Sequence, residues 1–169
     1  MPNVEIERKY IIEMPDLALL RGMRDYTVSE IEQIYLDSPV GITHRIRRRA
    51  YSDRVEYTET KKVRIDKSSA YEDEHTIIEE EYAELCARRA PDSVALSKAR
   101  HTFGYSGQTF EVDIYPDWTR TCIMETELPS RDATVQMPPF VSIVEEVTGK
   151  REYSNASMSR EFPKEKTTK

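Results

Sequence analysis

The chain has 169 residues, of which 38% are hydrophobic and 33% are charged, and its formal net charge is −6. This length predicts one domain, and the acidic balance argues against a protein that coats nucleic-acid phosphates, though not against a local basic cavity. Cys86 and Cys122 form no paired motif, which favours a reducing cytoplasm over a disulfide-stabilised secreted domain. No apolar run approaches the ~20 residues of a membrane span and no signal-peptide pattern is present, so we expect a cytoplasmic protein without membrane or nucleic-acid partners.

Alternating apolar and polar residues, separated by turn-forming residues, predict eight β-strands along the chain. The strands are expected at residues 4–12, 28–36, 42–51, 55–65, 71–77, 95–105, 108–115 and 121–128. Short helices are expected at residues 16–23 and 79–89, and the second begins with glutamates and ends with arginines, as the helix dipole favours. Residues 141–148 are expected as a short helix or an irregular segment, and the chain beyond Pro163 as a frayed tail.

The first predicted strand carries an unusual row of charge. Side chains alternate between the two faces of a strand, so Glu5, Glu7 and Lys9 project from one face together. Two carboxylates and an ammonium are costly to bury without partners. This face is therefore expected to look into a wet, charged cavity whose other walls come from elsewhere in the chain.

Charged residues recur at every second position in most of the other predicted strands. The rows are Arg45, Arg47 and Arg49; Lys61; Glu72 and Glu74; Lys98 and Arg100; Glu111 and Asp113; and Glu125 and Glu127. Any one row is typical of the solvent face of an antiparallel sheet, but here the sign of the charge is sorted by strand. A closed eight-stranded barrel with these faces inward would hold one small ligand. Its arginines and lysines would require a polyanion, and its carboxylates would require divalent cations.

With these residues in order, the chain resembles the CYTH superfamily, the triphosphate tunnel metalloenzymes. The family's opening Glu-x-Glu-x-Lys motif is matched by Glu5-Ile6-Glu7-Arg8-Lys9. Later segments resemble the family in the same order: Gln33-Ile34-Tyr35, Arg45-Ile46-Arg47, Lys61, Glu72-Asp73-Glu74, Lys98-Ala99-Arg100, Glu111-Val112-Asp113, Glu125-Thr126-Glu127, Glu146-Val147-Thr148 and Tyr153-Ser154-Asn155. The resemblance implies an α+β, mainly β fold: an eight-stranded antiparallel closed β-barrel over residues 1–160, with a few short helices outside it. Residues 161–169 are expected as a disordered tail, with the alternative that the chain beyond Ser159 plugs one mouth of the barrel.

The resemblance also implies a reaction, the hydrolysis of a triphosphate chain held with Mg²⁺ or Mn²⁺, and residues to perform it. The cations expected to bind the phosphates are Lys9, Arg45, Arg47, Lys61, Lys98 and Arg100. The carboxylates expected to bind metal are Glu5, Glu7, Glu125 and Glu127, followed by Glu111 and Asp113. A carboxylate among Glu5, Glu7, Glu72 and Glu74 is expected to position or deprotonate the attacking water.

The sequence leaves several functions open. Inorganic triphosphate is the favoured substrate, because the chain contains no added segment for base recognition. The alternatives are a class IV adenylate cyclase acting on ATP, a thiamine triphosphatase, for which Trp118 would be the only tryptophan platform, and a non-catalytic polyphosphate- or nucleotide-binding module. The resemblance also leaves a homodimer open. His44, His75 and His101 lack the spacing of metal ligands.

Overall fold

The eight predicted strands form one closed antiparallel barrel. The computed structural model describes residues 3–168. The strands of the barrel are β1 (Asn3–Glu13), β2 (Arg24–Leu36), β3 (Thr43–Ala50), β4 (Val55–Arg64), β5 (Ser69–Thr76), β6 (Leu96–Tyr105), β7 (Gln108–Ile114) and β8 (Thr121–Glu127). Their order is β5-β4-β3-β2-β6-β7-β8-β1, and a second pairing of β1 with β5 closes the barrel. The fold is therefore mainly β, as the sequence predicts.

Strand β1 pairs with three other strands. Along one edge, its residues 7–13 pair with residues 121–127 of β8. Along the other edge, residues 3–6 pair with β5, and residues 10–12 pair with a ninth strand, β9 (Ile143–Glu146). The expectation of a helix or an irregular segment at residues 141–148 is therefore wrong for residues 143–146. Beyond the point where β5 leaves β1, the backbone groups of β1 need new hydrogen-bond partners, and β9 supplies them.

Within residues 3–168, three short helices accompany the barrel, and the first two lie outside it. They are α1 (Leu17–Arg21), α2 (Glu79–Cys86) and α3 (Asn155–Met158), with a 3₁₀ turn at Arg151–Tyr153. The side chain of Asp16 accepts a hydrogen bond from the backbone N–H of Ala18 at 2.9 Å and so caps α1. No helix within residues 3–168 is long and apolar enough to cross a membrane.

Much of the apolar core lies outside the barrel wall rather than inside it. The outward faces of β1, β6, β7 and β8 carry a cluster with Phe103, Phe110 and Met124 at its centre, and residues from α1 and from residues 135–141 cover it. A second outer cluster joins Ile34 and Ile46 to Tyr82 of α2. Because the apolar positions of these strands alternate with the charged ones, burying the former outside directs the latter into the barrel.

An apolar plug fills one end of the barrel interior. Ile11, Leu96, Tyr115 and Ile123 stand in phase with the charged inward positions of β1, β6, β7 and β8, and they pack together. The chain after β9 completes the plug with Val147, Tyr153 and Met158, and Trp118 packs against it. The charged part of the interior therefore ends at this plug.

Residues 161–168 pack on the barrel, in contrast to the disordered tail expected there. Phe162 packs against Tyr115 and Trp118, with ring centroids 5.4 and 5.5 Å away. The Glu165 carboxylate accepts hydrogen bonds from the backbone N–H groups of Arg120 at 2.8 Å and Thr121 at 2.6 Å. These two contacts hold the tail through apolar burial and through backbone donors at the start of β8.

We predict that Gly149→Ala destabilises the protein more than Gly41→Ala. Both glycines have a positive φ, +72° and +89°, at which a side chain costs roughly 1–2 kcal/mol. A Cβ on Gly149 would also lie 2.6 Å from the carbonyl oxygen of Lys67, whereas nothing lies within 4 Å of a Cβ on Gly41. In urea denaturation, Gly41→Ala should lower the free energy of unfolding by about 1–2 kcal/mol. Gly149→Ala should lower it by ~1–3 kcal/mol more than Gly41→Ala does. Equal losses would contradict close packing of Gly149 on the turn between β4 and β5.

Candidate active site

The barrel encloses a cavity of about 930 Å³ that side chains from all eight strands line. The lining positions alternate along each strand, as expected for an interior face. The lining side chains on the strands are Glu5, Glu7, Lys9, Tyr35, Thr43, Arg45, Arg47, Arg49, Thr60, Lys62, Arg64, Glu72, Glu74, Arg100, Glu111, Glu125 and Glu127. Most of the predicted site residues are thus brought together in one cavity.

Carboxylates of β1, β5, β7 and β8 form an acidic wall: Glu5, Glu7, Glu72, Glu111, Glu125 and Glu127. Glu7 and Glu127 face each other across the β1–β8 pairing. Burial, reinforced by repulsion from Glu125, raises the pKa of Glu7 to about 7. Burial, reinforced by the nearby charge of Glu5, raises the pKa of Glu127 to about 7. Glu7 and Glu127 therefore hold protons more tightly than ordinary carboxyl groups, and neither is fully ionised at neutral pH.

Two lysines lie within the acidic wall. The Lys62 ammonium is 2.8 Å from a Glu5 carboxylate oxygen and 3.5 Å from one of Glu72. The Lys9 ammonium is 3.3 Å from a carboxylate oxygen of Glu125. Each lysine thus offsets part of the negative charge of the wall, and each lines the cavity.

The structure places Lys62 in the cavity, where the sequence analysis expected Lys61. Thr60 pairs opposite Arg45, so the even-numbered residues of this part of β4 share the inward face. Lys61 therefore points outward and is exposed. Two adjacent lysines look alike in the sequence, and only the register of β4 against β3 distinguishes them.

A basic wall lies on β3 and β6. The Arg47 guanidinium donates hydrogen bonds of 2.6 and 3.1 Å to the side-chain oxygen of Gln33, and no carboxylate within the described residues forms an ion pair with it. Burial, with the neighbouring charges of Arg45 and Arg100, lowers the pKa of Arg47 to about 9. The Nε of Arg45 is buried without a hydrogen-bond partner among residues 3–168. This wall therefore has positive charge and hydrogen-bond donors available for an anion.

Lys98 and Asp113 lie behind the wall and do not line the cavity. Their side chains are 0% and 1% exposed, and the Lys98 ammonium is 2.8 Å from an Asp113 carboxylate oxygen. Arg100, which does line the cavity, bonds to both carboxylate oxygens of Asp113, at 2.7 and 2.8 Å. Although burial opposes ionisation, Arg100 and Lys98 lower the pKa of Asp113. Neither residue thus has the direct access to a ligand that the sequence analysis expected.

The chain after β9 supplies cavity residues that the sequence analysis did not assign. Lys150, Arg151 and Arg160 line the cavity, and all three are exposed. The Lys150 ammonium pairs with Glu145 at 2.8 Å. The three histidines lie elsewhere: His44 and His75 contact Glu59 on the outer face, and His101 contacts Tyr26. Residues after the barrel strands lack the alternating pattern that identified the other lining residues, so only the three-dimensional structure reveals them.

Solved structures similar to this chain include an inorganic triphosphatase. No family model and no curated protein sequence match the chain. The inorganic triphosphatase NE1496 is 26% identical with a TM-score of 0.59, over 94% of this chain and 96% of that chain. PH1819 from Pyrococcus horikoshii OT3 is 23% identical with a TM-score of 0.56, over 76% and 80%. HpAC1 from Hippeastrum, a putative adenylyl cyclase with a dominant triphosphatase activity, is 14% identical with a TM-score of 0.52, over 74% and 80%. The chain thus shares its fold with triphosphatase-like and cyclase-like proteins.

The raised pKa of Glu7 predicts a specific pH dependence of stability in the presence of a chelator. Its folded-state pKa of about 7 exceeds the ordinary 4.5, so the folded protein holds the proton more tightly than the unfolded chain. The contribution of Glu7 to stability is therefore fully present below pH ~4.5 and is lost as the pH rises to about 7. The Glu7→Gln variant does not undergo this loss. Its free energy of unfolding minus that of wild type should therefore be larger at pH 8 than at pH 5, by on the order of 2 kcal/mol.

Urea denaturation at the two pH values measures this effect, and Glu84→Gln, on the exposed face of α2, is the matched control. The control should follow wild type at both pH values. A Glu7→Gln variant whose stability also runs parallel to wild type would contradict a strained acidic wall.

Proposed function

We propose that this cavity binds a triphosphate chain together with Mg²⁺ or Mn²⁺ and hydrolyses it, with inorganic triphosphate as the substrate and pyrophosphate and phosphate as products. One observation carries the proposal. A basic wall with few carboxylate partners faces an acidic wall with strained carboxylates inside the same cavity. A polyanion would satisfy the first wall and a divalent cation the second, so a metal–polyphosphate complex matches both.

The basic wall is the phosphate-binding part of the proposed site. Arg45, Arg47 and Arg100 present planar guanidinium groups, which form paired hydrogen bonds with phosphate oxygens. Lys9 and Lys62 lie within the acidic wall and contribute ammonium groups as point charges. Together these residues would hold the chain of phosphates in the cavity beside the carboxylates of the acidic wall.

The carboxylates of the acidic wall fit a hard divalent cation. They offer only oxygen ligands, and burial together with repulsion from neighbouring carboxylates raises the pKa of Glu7 and Glu127, a shift that a bound cation would oppose. No three Asp, Glu, His or Cys side chains within residues 3–168 already converge on one point as a metal site, so the carboxylates would turn toward the ion. Glu5, Glu7, Glu125 and Glu127 are the proposed ligands, with Glu111 beside them. When bound, the metal supplies charge neutralisation and a more acidic water molecule.

The chain's own chemical role in the reaction is to orient the attacking water and accept its proton. A carboxylate among Glu5, Glu7, Glu72 and Glu74 is proposed for this step. All four line the cavity, and a carboxylate within hydrogen-bond reach of the attacking water can orient it and accept its proton. The apolar plug closes one end of the cavity and restricts the access of bulk water from that side.

Similarity to the inorganic triphosphatase NE1496 over nearly the whole length of both chains supports inorganic triphosphate as the substrate. The test is phosphate release from inorganic triphosphate, ATP and thiamine triphosphate, each with Mg²⁺, Mn²⁺ or a chelator. We expect inorganic triphosphate to be hydrolysed fastest, with no release in the chelator. Formation of cyclic AMP from ATP would replace the proposal with a cyclase, and tight binding without phosphate release would replace it with a binding module.

Lys62→Ala and Lys61→Ala form a matched pair that tests which face of β4 acts on the substrate. Lys62 lies in the cavity beside Glu5, whereas Lys61 is exposed on the outer face. Removing the Lys62 ammonium leaves two carboxylates without their counter-ion and removes a phosphate contact, so kcat/KM should fall by about 10- to 100-fold. Lys61→Ala should stay within about twofold of wild type. The reverse result would contradict the register of β4 and the site built on it.

A further inference from the structure

We propose that Asp113 is a positioning residue, which fixes the Arg100 guanidinium against the cavity and does not bind metal. The inference rests on the proposed function for the identity of the anion that Arg100 contacts. It assigns to Asp113 a role different from the metal ligand that its place in the sequence suggests. Three features of the buried cluster support this role: the geometry of the Asp113–Arg100 pair, the donors that Arg100 keeps free, and the second cation on Asp113.

The Asp113–Arg100 pair is bidentate and buried. Arg100 Nε donates to Asp113 Oδ1 at 2.7 Å, and Arg100 Nη2 donates to Asp113 Oδ2 at 2.8 Å. The two side chains are 6% and 1% exposed. Two parallel hydrogen bonds define both the plane and the direction of a guanidinium group, which a single bond does not. Asp113 therefore determines where Arg100 points.

The face of Arg100 opposite Asp113 is the one available to a ligand. A guanidinium carries five N–H groups; two are donated to Asp113, and Arg100 Nη1 donates one to Glu111 at 2.9 Å. One hydrogen on each terminal nitrogen is left over. Arg100 lines the cavity and Asp113 does not, so these two hydrogens are the donors that an anion in the cavity would meet.

Lys98 is the second cation on Asp113 and makes that carboxylate unavailable to a metal. Its ammonium lies 2.8 Å from Asp113 Oδ2 and is fully buried. The Asn155 side-chain oxygen lies 3.5 Å from the same ammonium and also accepts a hydrogen bond from the Tyr115 hydroxyl at 2.7 Å. A metal ion would have to displace two buried, paired cations to reach Asp113. The acidic wall offers carboxylates that require no such displacement.

The experiment compares wild type with Asp113→Asn, Lys98→Met and the double variant Asp113→Asn/Lys98→Met. The double variant removes one charge of each sign and so keeps the net charge of the buried cluster. It therefore tests the proposal even where the single variant Asp113→Asn misfolds. Calorimetry measures the binding of inorganic triphosphate in a chelator and, separately, the binding of Mn²⁺ alone. An NMR spectrum of arginine side chains follows hydrogen exchange at Arg100 Nε, which the Asp113 hydrogen bond should protect.

We expect Asp113→Asn to weaken triphosphate binding by tenfold or more and to leave Mn²⁺ binding within twofold of wild type. The double variant should bind triphosphate equally weakly, and the Arg100 Nε signal should lose its protection in both. In the hydrolysis assay, KM should rise more than kcat falls, because Arg100 would contact the substrate before and during the reaction.

Three results would overturn the proposal. Weaker Mn²⁺ binding with unchanged triphosphate binding would make Asp113 a metal ligand. Recovery of triphosphate binding in the double variant would reduce Asp113 to a partner that balances the charge of Lys98. Unchanged protection of Arg100 Nε in Asp113→Asn would refute the positioning itself, whether or not wild type binds triphosphate. A wild-type protein that binds triphosphate without hydrolysing it would refute the proposed function while these binding results still decide the role of Asp113.

Discussion

Backbone pairing between β1 and β5 closes the barrel, and the chemistry of its interior depends on that closure. The pairing places Glu5 of β1 within reach of Lys62 on the neighbouring β4 and beside the end of β5 that carries Glu72. On an open sheet the same side chains would face bulk water, where exposed charges interact weakly and keep ordinary pKa values. Inside the barrel, burial and neighbouring charge raise the pKa of Glu7 instead. Closure thus converts rows of surface-like charge into a site that requires ligands.

A charged interior requires that the apolar core be built elsewhere. Strand alternation places the apolar side chains of most barrel strands opposite those that line the cavity, and the outer clusters around Phe103 and Ile46 bury them. The helices and the chain after β8 provide the covering surface. The same C-terminal chain also enters one end of the barrel, where Tyr153 and Met158 pack on Ile11. It therefore stabilises the wall and also limits the length of the cavity.

The cations of the interior fall into two groups that differ in what they already contact. Arg100 and Lys98 share the Asp113 carboxylate, and Arg100 also contacts Glu111 while keeping two N–H groups for the cavity. Arg47 and Arg45 have amide, hydroxyl or long carboxylate contacts instead. Short ion pairs with carboxylates hold the first group in place, whereas the second group lacks such pairs. A metal–polyphosphate complex would supply anionic partners to the second group and would meet the free N–H groups of Arg100 without displacing Asp113, which is the physical basis of the proposed function.

The amino-acid sequence by itself determined the strands, the rows of charge and the inward direction of most of them. Period-two alternation is a local property, so spacing alone placed Glu5 with Glu7, and Arg45 with Arg47, on one face of each strand, and the sorting of charge by strand then favoured the interior. Their motif order also indicated the resemblance that the similar solved structures support at the level of the fold.

Only the tertiary structure decided between Lys61 and Lys62, because strand register depends on a partner strand that the local sequence does not identify. It also placed Lys98 and Asp113 behind the wall, since the depth of a side chain in a barrel depends on how the whole sheet closes. The pairing of residues 143–146 with β1 and the packing of residues 161–168 are likewise contacts between distant parts of the chain. Alternation along a strand is a local property. Strand register, the depth of a side chain in the barrel and the packing of the C-terminal chain on the barrel depend instead on residues far away in the sequence.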